Sequence, residues 1–209
     1  MRLRDAHGGD ITALTVGAPE SAKGVKDALS RGADQAFFVS DPTFRQLESS
    51  QTAAILGEVI KARIPYDLII CGEGSSDLYA QQVGPRLAEI LQIPCIPYVQ
   101  KLTIEGGRIV AERRVEEGIE IVEAQMPALI TVLPDINTPR IPGVRDTLTA
   151  AKKPVITIKK EALTIVGEAR LKAVGMAATP TERKCERFAA TPEGITRFIE
   201  TLQKKGSIR

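Results

Sequence analysis

Between Ile11 and Leu91 short apolar runs alternate with amphipathic stretches, and few folds accommodate that alternation. Ile11–Val16 (ITALTV), Ala36–Val39 and Leu68–Cys71 are too short for helices and too continuously apolar for solvated strands, so each reads as a buried strand. The segments between them have helical period. After Ser21, the residues Ala22, Val25, Ala28 and Leu29 recur on one face, and Arg31-Gly32 supplies a basic last turn and a glycine stop. Ala54, Ile55, Val59 and Ala62 mark a helix over residues 51–62, and Val83, Leu87, Ile90 and Leu91 mark another. Strand and helix repeated three times predict an α/β fold, a Rossmann-like parallel sheet with flanking helices. Right-handed crossovers then gather the strand-to-helix loops at the strands' carboxyl ends, where open α/β sheets bind ligands. Two loops fall there: Val16-Gly17-Ala18 and Gly72 to Gln82.

After residue 95 the pattern changes. Lys101–Ile104 and Arg108–Arg114 alternate around Glu105-Gly106-Gly107, a hairpin signal, and Glu116-Glu117-Gly118 turns the chain into Ile119–Gln125. Ala128–Leu133 is a further apolar run. Residues 134–154 hold four prolines among scattered apolar residues and read as a long ordered loop or binding arm. Residues 165–190 are weakly patterned and are expected to wrap over another surface. Thr191-Pro192-Glu193 opens a last helix, to about Lys205, with Ile195, Phe198, Ile199 and Leu202 on one side. At the front, Met1–Ala6 looks like the tail of a helix, followed by a strand that already looks central. The pattern therefore predicts that an N-terminal strand and helix are lacking here.

Composition removes several functions. The net charge of +2 is too small to argue for nucleic acid or an anionic membrane, and aromatics at 4% with no Trp weaken a base-stacking surface. No apolar run approaches a bilayer span, and MRLRDAHGGD has no apolar core of a signal peptide, so the expected location is the cytoplasm. Three scattered cysteines (Cys71, Cys95, Cys185) fit neither a disulfide framework nor a zinc site. His7 is the only histidine and sits near a chain end, which argues against a histidine base, a Ser-His-Asp triad or a multi-histidine metal site. Catalytic and metal-binding residues are accordingly expected to be none.

The stretch CGEGSSDLYAQQVGP (Cys71–Pro85) is the richest in chemistry. A strand, a glycine-bearing loop and a helix start present free backbone N–H groups and the positive end of a helix dipole. That arrangement suits phosphate. Gly72 and Gly74 permit close backbone approach, Ser75 and Ser76 add hydroxyls, and Gln81 and Gln82 add amides. The loop has neither the P-loop lysine nor a GxGxxG spacing. Three plainer readings stand beside it: a polar turn with Asp77 as a cap, a Glu73/Asp77 carboxylate pair, and a Cys71 that merely fills the core. In the arm, Arg140, Arg145, Lys152 and Lys153 read as solvated charges. Ile136, Ile141, Val144 and Leu148 in the same stretch instead suggest a partner contact.

ERRVEEGIEIVEAQMPALIT (Glu112–Thr131) resembles the signature segment of electron transfer flavoprotein β subunits. DINTPRIPGVRDTLTAAKKP downstream is similar to that family's Asn-x-Pro-Arg recognition loop with its Ala-Lys-Lys ending. GAPESAKGVKDALSRGAD and GEGSSDLYAQQVGP resemble the FixA-type branch. The likeness covers essentially the whole chain, except that family members carry about fifty further N-terminal residues, which hold the first strand and part of the nucleotide site, in agreement with the gap expected from the pattern.

The resemblance implies an adenine-nucleotide-binding α/β domain over residues 1–160 and a C-terminal arm and helix, 161–209, packing on a partner subunit. It implies a heterodimer with an α subunit holding FAD near the interface, and AMP or a second FAD in the β subunit's own site. The matching positions are Val16, Gly17, Cys71, Gly72, Glu73, Gly74, Ser75, Ser76, Asp77, Gln81, Gln82, Val83 and Gly84. Gln82-Val83-Gly84-Pro85 leans toward FAD. Residues 132–154 match the recognition loop, with Ile136, Asn137, Pro139, Arg140, Ile141 and Val144 toward the partner. Val144 stands where the family has an anchoring leucine. The implied partners are acyl-CoA dehydrogenase-type or quinone-reductase-like flavoproteins and a ferredoxin. The implied role is an electron carrier without substrate turnover of its own, bifurcating in some members. The rival readings are an ATP-using enzyme and an AMP-sensing module of the related fold.

Overall fold

The computed structural model describes residues 1–164, 169–171, 174–175, 177–178 and 185–208. Much of the 165–190 stretch expected to wrap over another surface lies outside them. The chain forms two units, Met1–Leu171 and Lys172–Arg209. In the first, α1 (Arg2–His7), β1 (Thr12–Gly17), α2 (Ala22–Arg31), β2 (Gln35–Ser40), α3 (Ser49–Arg63), β3 (Leu68–Gly72) and α4 (Val83–Leu91) follow the alternation of the sequence. A meander of β4 (Cys95–Glu105), β5 (Arg108–Val115) and β6 (Gly118–Gln125) comes next, then β7 (Ala128–Val132), α5 (Val144–Ala150) and β8 (Val155–Lys159).

The α/β class stands, with a parallel sheet, flanking helices and antiparallel strands. Its parallel strands, however, are divided between two sheets, β1-β2-β8 and β3-β7-β4-β5-β6. In the first, Thr12 lies opposite Gln35 and Ala36 opposite Val155, all parallel. In the second, β3, β7 and β4 are parallel, and β5 and β6 add antiparallel. The strand that looked central, β1, is an edge, and all its residues but Gly17 are only half-buried. Its apolar run reflects the helix packed on one face. The sequence also places the start of the hairpin at Lys101, whereas β4 begins at Cys95, because Cys95 and Ile96 pair with β7 before the strand turns to β5.

Helix α3 joins the two sheets. Its Ile55 and Val59 pack with Phe37, Val39, Phe44 and Ile158 on the first sheet. Its Ala53 and Ile60 pack with Leu87, Ala88, Leu91 and Leu129 on the second. Leu14 of β1 packs against both clusters. Complete burial of a side chain such as Ile55 contributes about 1.5–3 kcal/mol. A Cβ at Gly57 would strike Ile90, so this glycine sets the close approach of α3 to α4.

In the second unit α6 (Pro192–Lys204) is capped by the Thr191 hydroxyl, which accepts from Gly194 N at 3.2 Å. Phe188 meets Phe198 edge-on, with ring centroids 5.4 Å apart. Among the described residues no helix is long and apolar enough to cross a membrane.

Cys71 faces the cluster beneath α3 and α4, and burial, helped by Cys95 nearby, pushes its thiol up to about 11. Burial raises the Cys95 thiol too, whereas Cys185 is exposed. At pH 8 roughly one Cys71 in a thousand is thiolate. Iodoacetamide at that pH is therefore expected to alkylate Cys185 in the native protein, and Cys71 and Cys95 chiefly after denaturation. Peptide mass spectrometry reads the order; early labelling of Cys71 contradicts this packing.

Candidate functional site

Strand order turns around between the two sheets. The chain runs outward from β1 to β2, crosses by α3 to β3, and then continues away through α4 to β4. In open α/β folds that reversal opens a crevice at the carboxyl ends of the flanking strands. The strands on either side are β1, which ends at Val16-Gly17, and β3, which ends at Cys71-Gly72. Gly17 is buried, and a Cβ there would press on Ser21, so the turn into α2 stays tight. Gly72 is exposed, and a Cβ there would meet only the Gly74 carbonyl oxygen, at 4.0 Å.

The loop after Gly72 is folded on itself. Glu73 N donates to Val132 O (3.2 Å) and Tyr79 N to Ser75 O (3.1 Å). The Tyr79 ring and Gln81 lie over Gly74, where a Cβ would crowd both. The Asp77 carboxyl is held below the usual carboxylate range, first by the Ser75 hydroxyl and then by Leu78 N (2.8 Å). Asp77 thus closes the turn and does not cap α4, whose N-cap is Gln82. The Gln82 amide oxygen accepts from Arg86 instead (2.9 and 3.1 Å). No side chain caps α4, and the first amides of a helix have no partner within the helix itself. The tyrosine hydroxyl keeps its proton to a higher pH than usual, chiefly because it donates to Glu73. A Glu73/Asp77 acid–base pair is not assembled: each carboxylate is engaged by a different neighbour.

Gly84 is buried, and a Cβ there would collide with the Thr131 methyl. Thr131 is itself a buried polar side chain of β7. Its hydroxyl accepts from Tyr98 N at 3.0 Å, where β4 bulges between Ile96 and Val99. The bulge delivers Tyr98 to a cavity of about 450 Å3, shared with Tyr79, Glu73, Arg114, Leu133 and Asp135. Sequence reasoning missed this cavity. The available signal was Tyr98 in IPYV, two of the chain's three tyrosines lying near the strand ends.

The arm residues form a separate group. Ile136 turns inward against the cluster of Ile96, Val99 and Ile130. Asn137, Pro139 and Arg140 are exposed, and Ile141 and Val144 are 88% and 80% exposed. Arg31 donates to Arg140 O (2.9 Å), and Lys153 donates to Leu29 O (3.1 Å) and Ala33 O (2.5 Å), which fixes the arm to the end of α2. Asp146 accepts from Gly143 N (3.0 Å) and Arg140 (3.1 Å), and its carboxyl is held low by these contacts.

Replacing Thr131 by valine leaves Tyr98 N with no partner in a half-buried place and should cost about 1–3 kcal/mol. A urea unfolding curve measures it. A variant as stable as the parent contradicts the tie between β7 and the bulge.

Comparison with known proteins agrees with this arrangement. The profile described as "Electron transfer flavoprotein domain" matches residues 1–163. The chain is 32% identical over 214 residues to "Electron transfer flavoprotein subunit beta" of Thermoanaerobacterium thermosaccharolyticum, covering 98% of this chain and 82% of that one. With the matched region spanning the crevice loop and the arm alike, the chain belongs to the electron transfer flavoprotein family, among its β subunits.

Proposed function

We propose that the chain is the nucleotide-holding subunit of an electron carrier, and that the Gly72–Gly84 loop cradles the phosphates of AMP or FAD. One observation carries this reading: an uncapped helix start and an open glycine meet where strand order turns around. The residues fit the group. Gly72 leaves the backbone open, the first turn of α4 offers amide donors, and Ser76, Gln81 and Gln82 complete an uncharged wall. Val16 and Gly17 form the opposite lip. Cys71 contributes packing beneath the loop. AMP bound there is structural, whereas FAD adds a ring that carries electrons.

Family membership implies a partner α subunit, and the α subunit's FAD is the shuttle proper. The exposed arm residues Asn137, Pro139, Arg140, Ile141 and Val144 then meet flavoprotein partners of the acyl-CoA dehydrogenase or quinone-reductase type, or a ferredoxin. Ile136 acts as the internal anchor of that arm. The amphipathic face of α6, with Ile195, Phe198 and Ile199 about half exposed, suits the partner subunit.

The chain co-expressed with its α subunit should purify as a yellow complex. Replacing Ser75 and Ser76 together by alanine should lower nucleotide retention about tenfold with an unchanged melting curve. Retention equal to the parent's argues against the cradle. A colourless complex that hydrolyses ATP overturns the electron-carrier reading altogether.

A further inference from the structure

The basic residues of the arm read as solvated charges in the sequence, yet the fold gathers three of them. Arg140, Arg145 and Lys153 line one cavity of about 240 Å3 together with Arg4 of α1. Its remaining wall is the end of α2, where Leu29 and Ser30 are buried. Asp34 and Lys153 stand just before β2 and β8, so the cavity lies at the amino ends of these strands. Gly17, at the carboxyl end of β1, is about 20 Å away along the strand. The cavity shares no lining residue with the loop that follows β3.

Charge in this cavity is unbalanced, because its four cations are set against two carboxylates, Asp34 and Asp146. Both acids are already committed. Asp34 accepts from Arg4 (3.1 Å) and Ile11 N (2.8 Å), and Asp146 accepts from Arg140 (3.1 Å) and Gly143 N (3.0 Å). Donors, by contrast, are left over. Among the described residues Arg145 makes no hydrogen bond or close ion pair, and the Thr149 hydroxyl has no partner. Lys153 places two of its three protons on Leu29 O and Ala33 O, and one remains. The carbonyls that end α2 would repel an anion, but they are covered: Gly32 O accepts from Arg4 (3.2 Å), and the other two accept from Lys153.

Surplus positive charge and unspent N–H groups, with the acceptors engaged, call for a dianion. Size narrows the choice. The cavity exceeds several-fold the room of one tetrahedral oxyanion, given that a water occupies about 30 Å3, and it falls below the usual range for larger ligands. The donors also come from separate elements, α1, α5 and the segment before β8. We propose that this cavity binds a small dicarboxylate of four or five carbons, with Arg145 and Thr149 at one carboxylate and Arg4 and Lys153 at the other. Such an occupant bridges α1, the end of α2 and the arm, and so braces the base of the arm. The site stands apart from the nucleotide reading above and goes beyond it.

The test follows amide spectra of the nitrogen-15-labelled full chain during titration with succinate, with phosphate and with chloride at one ionic strength. Succinate should give saturable shifts at Ser30, Gly32, Arg145 and Thr149, and phosphate should bind more weakly. Arg145→Ala, which removes an exposed and unpaired side chain, should weaken succinate about tenfold. Arg145→Lys should fall between, since it keeps the charge and loses the planar fork. Lys61→Ala, an equal loss of charge at an exposed position on α3, should change affinity by less than about twofold. Shifts that chloride reproduces, affinity unchanged by Arg145→Ala in a folded variant, or phosphate held more tightly than succinate would each overturn the assignment.

Discussion

The packing of α3 across two sheets is the constraint on which the rest depends. Neither sheet closes on its own: β1 and β3 are both edges, and each needs apolar cover from the same helix. Ala53 and Ile55, both fully buried, face different sheets, so α3 fixes one against the other. Gly17 ends the edge strand of one sheet and Gly72 the edge strand of the other. Loss of buried methyl groups from Ile55 would cost about 2–5 kcal/mol and loosen the relation between those edges.

A second constraint is local. Thr131 is one of the few buried polar side chains among the described residues, and it makes two contacts. Its methyl receives Gly84 and so fixes how deeply the start of α4 sits, while its hydroxyl holds the bulge at Tyr98. A buried hydroxyl is tolerable only because that bond is made. The start of α4 and the tyrosine cavity are therefore linked through one side chain of β7.

Much of this was legible in the sequence, for physical reasons that can be named. Buried strands must be apolar and covering helices must be amphipathic, so Ala36–Val39 and the α2 stripe declared themselves. Leu68–Cys71 is a strand as expected but not a buried one: it is an edge, none of its residues is fully buried and Ile70 is 52% exposed. The glycines and serines of 72–76 were visible because close backbone approach demands small residues. Helix α5 was not visible. It has seven residues, follows a run of prolines, and buries only Ala150, while Leu148 stays 66% exposed. Strand β8 gains its meaning from pairing with β2, more than a hundred residues back, which no local pattern encodes. The division into two sheets and the edge position of β1 are likewise properties of pairing. The cavity was hidden for a similar reason: the tyrosine of IPYV is visible in the sequence, but the bulge and left-handed backbone that place it arise from register against β7.

The central claim is that the loop after β3 binds nucleotide phosphate by its backbone. Amide spectra of the nitrogen-15-labelled full chain, followed while AMP is added, test it most directly. The account predicts shifts concentrated at Gly17, Gly72, Gly74, Ser75, Ser76, Val83 and Gly84, with the arm of residues 134–154 undisturbed. Shifts confined to that arm, or none at saturating AMP, would contradict it.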